Sequence, residues 1–138
     1  MNPKETAMVL AMDATFKVIK QLSGKIGSFS YRTPTNIVGS ADITLNLKNK
    51  ISKNEIINLF KSLQEDQSFN IFNNTVKPLV SLDFLRTPFS VHIDHRWTDV
   101  INHKMLKLVL WYDNEWGYSS KVVDQISFIS KLINQHEI

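Results

Sequence analysis

Between residues 41 and 48 the chain alternates strictly. Ala41, Ile43, Leu45 and Leu47 are apolar, while Asp42, Thr44, Asn46 and Lys48 are polar. Successive strand side chains point to opposite faces, so this period of two fits a strand with one face buried and one wet. Then the period changes. Ser52 and Glu55 have the spacing of a capping box, and Ile56, Leu59, Phe60 and Leu63 recur at helical intervals to about Gln64. A half-buried strand followed at once by an amphipathic helix points to sheet and helix sharing one core.

The flanking sequence adds further elements. Asn2, Pro3 and Glu5 suit a helix start. Ala7, Ala11, Ala14, Val18 and Leu22 then share a face, and Ser23-Gly24 supplies a stop. Lys25 to Tyr31 reads as a strand, as do Phe69–Phe72, Leu79–Phe84, Phe89–Asp94 and Met105–Trp111. Asn73-Asn74 marks a turn, and Pro78 and Pro88 punctuate what lies between. Ser119 caps a last helix reaching about Gln135. Two or three helices and about six strands, not strictly alternating, predict an α+β fold on a largely antiparallel or mixed sheet, with residues 1–138 as a single domain.

Composition removes several function classes. The chain has no cysteine, so disulfides, zinc–thiolate sites and thiol catalysis lie outside it. The apolar run from Met8 to Met12 is too short to span a membrane. The net charge of +3 is scattered, with Lys48, Lys50 and Lys53 as the densest group, whereas nucleic acid needs a concentrated basic face. Four glycines leave no nucleophile elbow, P-loop or dinucleotide fingerprint. The expectation is a cytoplasmic protein with no nucleic-acid and no membrane partner. His92, Asp94, His95 and His103 carry metal-ligating chemistry, but His92 and Asp94 share a strand face that His95 does not, and a solvated turn is expected there. Trp97, Trp111 and Trp116, with eight Phe, could suggest a stacking platform, but most sit in apolar periodic contexts and are read as core.

The stretch Trp111-Tyr112-Asp113-Asn114-Glu115-Trp116-Gly117-Tyr118-Ser119 resembles a signature of glyceraldehyde-3-phosphate dehydrogenases near their C-terminus. The likeness extends from about Ala14 onward. Leu22-Ser23-Gly24-Lys25-Ile26, Tyr31-Arg32-Thr33-Pro34-Thr35, Leu79-Val80-Ser81-Leu82-Asp83-Phe84 and Val122-Val123-Asp124 follow in the family's order. Asn114-Glu115-Trp116-Gly117 is spelled more like the erythrose-4-phosphate branch, and Tyr112 more like the glyceraldehyde branch. The resemblance implies an NAD-dependent phosphorylating aldehyde oxidoreductase fold of the C-terminal, catalytic type. It also implies Arg32 as a substrate-phosphate ligand, Asn114 as the partner of the nicotinamide carboxamide, and Tyr118 as a nearby wall.

Beside that stand the departures. The family's nucleophilic Cys, its base His and its nucleotide-binding domain lie upstream of the aligned region, so the chain is expected to be truncated at its N-terminal side and inactive alone. It should hold no catalytic residue of its own and bind no NAD tightly. The Thr-Gly pair that grips a phosphate falls near Val9-Leu10, where neither residue does that job. Arg32 therefore has two readings, a bidentate phosphate fork or a turn-fixing side chain. Asn114 also has two, carboxamide recognition or construction of the turn before the last helix, and the second weighs more. Two functions follow: a dehydrogenase-like domain acting only with a complementary chain, or a non-catalytic assembly module. The last helix supports association. Val122, Ile126, Ile129 and Ile133 form a stripe widened by Val123, Phe128 and Leu132, so a homo-oligomer or a dehydrogenase-family partner is expected.

Overall fold

A computed structural model of the chain describes residues 15–31, 33–34 and 37–136, with the backbone alone at 135–136. The chain divides into two units, Met1–Thr35 and Asn36–Ile138.

In the first unit, residues 15–18 are helical and a 3-10 turn covers Lys20–Leu22. Gly24 then turns at φ 73, so the expected stop falls where Ser23-Gly24 places it. Most of the expected first helix lies outside the described residues. The strand expected over Lys25–Tyr31 does not form: a strand needs a ladder partner, and among the described residues of this unit no strand is present to supply one. Phe29 and Tyr31 meet edge to face at 5.2 Å and stay exposed.

The second unit is a mixed five-stranded sheet with two helices, the α+β class expected. β1 (Gly39–Asn46) runs antiparallel to β5 (Met105–Tyr112) along its whole length. β3 (Val91–Asp94) pairs antiparallel with the end of β5, β4 (Asp99–Ile101) pairs with its start, and β2 (Phe72–Thr75) lies parallel to β3. The order is β1-β5-β3-β2, with β4 also on β5. The alternation read from sequence sets the faces: Ala41, Ile43 and Leu45 oppose Leu110, Leu108 and Leu106. On that face α1 (Lys53–Asp66) buries Ile56 against Ile93, Leu106 and Leu108, with Ile57 and Phe60 beside them. Its capping box is complete: Glu55 N–H donates to Ser52 Oγ, and Ser52 N–H donates to the Glu55 carboxylate.

The opposite face carries Phe84, which stacks on Trp111 at 5.6 Å and approaches His92 at 4.9 Å. There the fully buried Asp94 accepts from the Arg96 guanidinium and from Trp111 Nε1–H at 3.3 Å. Burial pushes the Asp94 carboxyl up, but these donors and the charge on Arg96 hold it below the usual carboxylate range.

Four sequence expectations shift. Leu79–Phe84 is a loop with a 3-10 turn at Ser81–Phe84, because the Asp83 carboxylate accepts the Val80 N–H and curls the chain. Asn73-Asn74 lies inside β2 instead of at a turn. Asn74 Nδ2–H donates to Phe60 O and Gln64 Oε1, so α1 fixes an extended backbone there. β4 was not expected. It exists because Asn102 and His103 adopt φ 50 and 58, the two left-handed residues of a tight hairpin. The strand count among the described residues is thus five and not six. Of the tryptophans, Trp111 is half-buried while Trp97 and Trp116 are exposed.

Candidate functional site

The last helix, α2 (Asn114–His136), begins five residues before Ser119. Asp113 starts it. This buried carboxylate accepts the Trp116 N–H at 3.0 Å, while its other oxygen accepts the Arg86 N–H at 3.0 Å. Burial pushes the Asp113 carboxyl up, but backbone N–H groups of Arg86, Trp116 and Glu115, with the Arg86 charge, hold it below the ordinary value. Ser119 is not the cap. It lies inside the helix, its hydroxyl donating to Glu115 O at 2.8 Å.

The earlier start changes which residues meet. Asn114, Tyr118 and Lys121 fall at i, i+4 and i+7, one face of a helix. That face borders an open concavity of about 430 Å³, closed elsewhere by Tyr112 and by Ser90 and Val91 at the start of β3. Asn114 and Tyr118 are both exposed along it. Lys121 is ion-paired with Asp124 one turn on. Two glycines permit the approach of the walls. A Cβ on Gly117 would sit 3.4 Å from Phe89 O and Ser90 Cα, and one on Gly39 would sit 2.7 Å from the Tyr112 ring.

Of the residues expected from sequence, Asn114 and Tyr118 thus line one concavity, and Arg32 lies outside the described residues. Asn114 does not build a turn; it is the first residue of α2. His92, Asp94 and His95 are buried and hydrogen-bonded, not a solvated turn, whereas His103 is exposed in the β4–β5 hairpin. Among the described residues no group of His, Asp and Glu is placed to hold a metal ion. Lys121 was missed because its signal is its spacing from Asn114, which appears only once the helix starts at 114.

The sequence profile described as "Glyceraldehyde 3-phosphate dehydrogenase, C-terminal domain" matches residues 1–114. The chain belongs to this family. Among curated proteins, the cytosolic glyceraldehyde-3-phosphate dehydrogenase of Gracilaria gracilis is 38% identical over 122 residues, covering 88% of this chain and 36% of that protein. The Phytophthora infestans glyceraldehyde-3-phosphate dehydrogenase is 40% identical over 121 residues, covering 88% and 36%. Glyceraldehyde-3-phosphate dehydrogenase 2 of Bacillus subtilis is 33% identical over 120 residues, covering 87% and 35%. The chain spans about a third of the length of these relatives. The profile match ends at the residue that opens α2, so the concavity straddles the edge of the matched region. In this dehydrogenase-type domain, no helix among the described residues is long and apolar enough to cross a membrane.

Proposed function

We propose that the chain, as one domain over residues 1–138, is the catalytic-type portion of a cytoplasmic NAD-dependent phosphorylating aldehyde dehydrogenase. In this reading Asn114 hydrogen-bonds the nicotinamide carboxamide, Tyr118 walls the ring, and Arg32 takes a substrate phosphate. The observation that carries it is the convergence of Asn114 and Tyr118 on one concavity beside Tyr112. The lining suits a carboxamide-bearing ring. Asn114 has both a donor and an acceptor to offer, aromatic side chains flank it, and Lys121 is already neutralised by Asp124. NAD, when bound, supplies the hydride acceptor; this chain's residues orient the ring.

Aldehyde oxidation through a thioester needs a thiolate to attack the carbonyl. The 138 residues hold no cysteine, so this polypeptide alone turns over no substrate. Two measurements test the reading. Titrating NAD or nicotinamide into the ¹⁵N-labelled chain should shift the Asn114, Gly117 and Tyr118 amides at millimolar ligand, and Asn114→Ala should remove the shifts. Phosphate should move the Thr33 and Arg32 amides. No shift at either place overturns the site assignment, and NADH formation by the isolated chain from glyceraldehyde-3-phosphate, NAD and phosphate overturns the inactivity.

A second reading, as an assembly module, rests on α2. Val123, Ile126, Ile129 and Ile133 are all more than half exposed along it. Each large apolar side chain buried contributes about 1.5–3 kcal/mol, so a symmetric partner copy is a strong stabiliser of this surface. Light scattering at tens of micromolar should then report an oligomer that Ile126→Asp dissolves. A monomer near 15.9 kDa removes this reading.

A further inference from the structure

The four-residue edge strand β2 is clamped from both sides of the sheet. Asn73 and Asn74 point to opposite faces. On one face, Asn73 Nδ2 lies 3.2 Å from His92 Nδ1, and His92 Nε2 lies 2.7 Å from Thr87 Oγ1. On the other, Asn74 Oδ1 lies 2.7 Å from His95 Nε2, and His95 Nδ1 lies 3.0 Å from Thr98 Oγ1. Partner chemistry fixes the protons. An amide nitrogen only donates, so His92 Nδ1 accepts and the ring proton sits on Nε2. Asn74 Nδ2 is committed to Phe60 O and Gln64 Oε1, so its oxygen accepts the His95 Nε2–H. Both rings are therefore held neutral, with one donor and one acceptor used.

A second proton at His92 Nδ1 would face the donating amide of Asn73 and would require that amide to turn over. The Thr98 hydroxyl can rotate to accept at His95, so His92 is the decisive ring. Their surroundings offer little to a cation. His92 is 5% exposed, with Phe84 at 4.9 Å and Phe89 at 5.5 Å; Asp94 on its face is committed to Arg96 and Trp111. His95 is 4% exposed beside Phe60, with Lys61 and Lys53 of α1 opposing protonation and Asp94 favouring it. Burial holds both imidazoles below their ordinary value of 6.5, with the lysines adding to it at His95. A depressed histidine leaves folding undisturbed above the unfolded value. Stability is lost as pH falls below about 6.5, where the unfolded chain takes protons the folded one refuses.

We propose that His92 and His95 form a pH-sensitive latch, which holds β2 on the sheet at neutral pH and releases it in mild acid. Release bares the edge of β3, a row of backbone donors and acceptors that another strand can take. Hydrogen exchange by NMR on the full chain tests it. Long-range ¹H–¹⁵N spectra at about pH 7.5 should show both rings as Nε2–H tautomers. Protection of the Phe72–Thr75 amides, corrected for intrinsic exchange, should fall about tenfold or more by about pH 5.5, while that of Ala41–Leu45 in β1 holds. His92→Gln, which cannot charge, should flatten that dependence. An Nδ1–H tautomer at His92, pH-independent protection of β2, or simultaneous loss of β1 and β2 overturns the latch. The wild-type chain alone decides these three, even if the variant fails to fold.

Discussion

The two helices of the second unit meet the rest of the fold in opposite ways. α1 is anchored along its length: Ile56 is 6% exposed in the core, Phe60 packs beside it, and Asn74 bonds its backbone at Phe60 O. α2 is anchored at its first turn by Asp113 and then runs on with Ile126 62% exposed. Farther along, Phe128 meets Phe69 edge to face at 5.9 Å. Apolar periodicity is equally clear in both sequences. What separates them is cover: α1 sets its apolar stripe into the core, whereas α2 leaves Val123, Ile126, Ile129 and Ile133 more than half exposed beyond the concavity it opens.

Paired truncations break or sharpen that contrast most directly. Ile56→Ala should destabilise by about 2–5 kcal/mol, since it leaves a cavity between α1 and the sheet. Ile126→Ala should change monomer stability by about 0.5 kcal/mol or less. Urea melts at low protein concentration measure both, and similar losses would show that α2 is covered after all.

The next effect is at the anchor. Asp113→Ala strips the acceptor from the Arg86 and Trp116 N–H groups and should cost about 1–3 kcal/mol. Its acid dependence has a definite sign. A carboxyl held low in the fold contributes fully above the usual carboxylate range and loses that contribution as pH falls through its lowered value. In the variant, the acid limb of the pH–stability curve should flatten, and amide protection should fall first in Asn114–Tyr118. At α1, Ser52→Ala removes one half of the capping box and should cost on the order of 1 kcal/mol, because the packed Ile56 and Phe60 keep the helix in place. A larger loss at Ser52 than at Asp113 would reverse the assignment of which helix depends on its cap.

These same elements show what was legible in the sequence. The period of two over Ala41–Leu47 and the Ser52–Glu55 box are local signals, and β1 and α1 follow them closely. The failures are tertiary. Asn73-Asn74 has turn chemistry, yet both side chains find partners across the sheet and on α1. Leu79–Phe84 has strand composition, but Asp83 closes a local bond and Phe84 is drawn onto Trp111. At the site, Asn114 and Tyr118 were legible by resemblance. Their meeting with Lys121 was not, because placing the cap at Ser119 in place of Asp113 hides the shared helix face.

A small effect on stability is expected where β1 meets the concavity. Gly39 pairs with Tyr112, and a Cβ there would come within 2.7 Å of Cε2, 2.8 Å of Cζ and 3.0 Å of the hydroxyl oxygen. The clash is with the far end of a rotatable side chain, so Gly39→Ala moves the ring and leaves the backbone in place. Alanine in a strand gains roughly 0.5–1 kcal/mol over glycine in backbone entropy, which offsets the shifted ring. Net stability should therefore change by less than about 1 kcal/mol. The concavity should not be so indifferent, since Tyr112 lines it together with Asn114. Nicotinamide-induced shifts at Asn114 and Tyr118 should weaken in Gly39→Ala although the melt hardly moves. If the shifts persist unchanged, Tyr112 is no part of the ligand's surroundings and the site contracts to the α2 face alone.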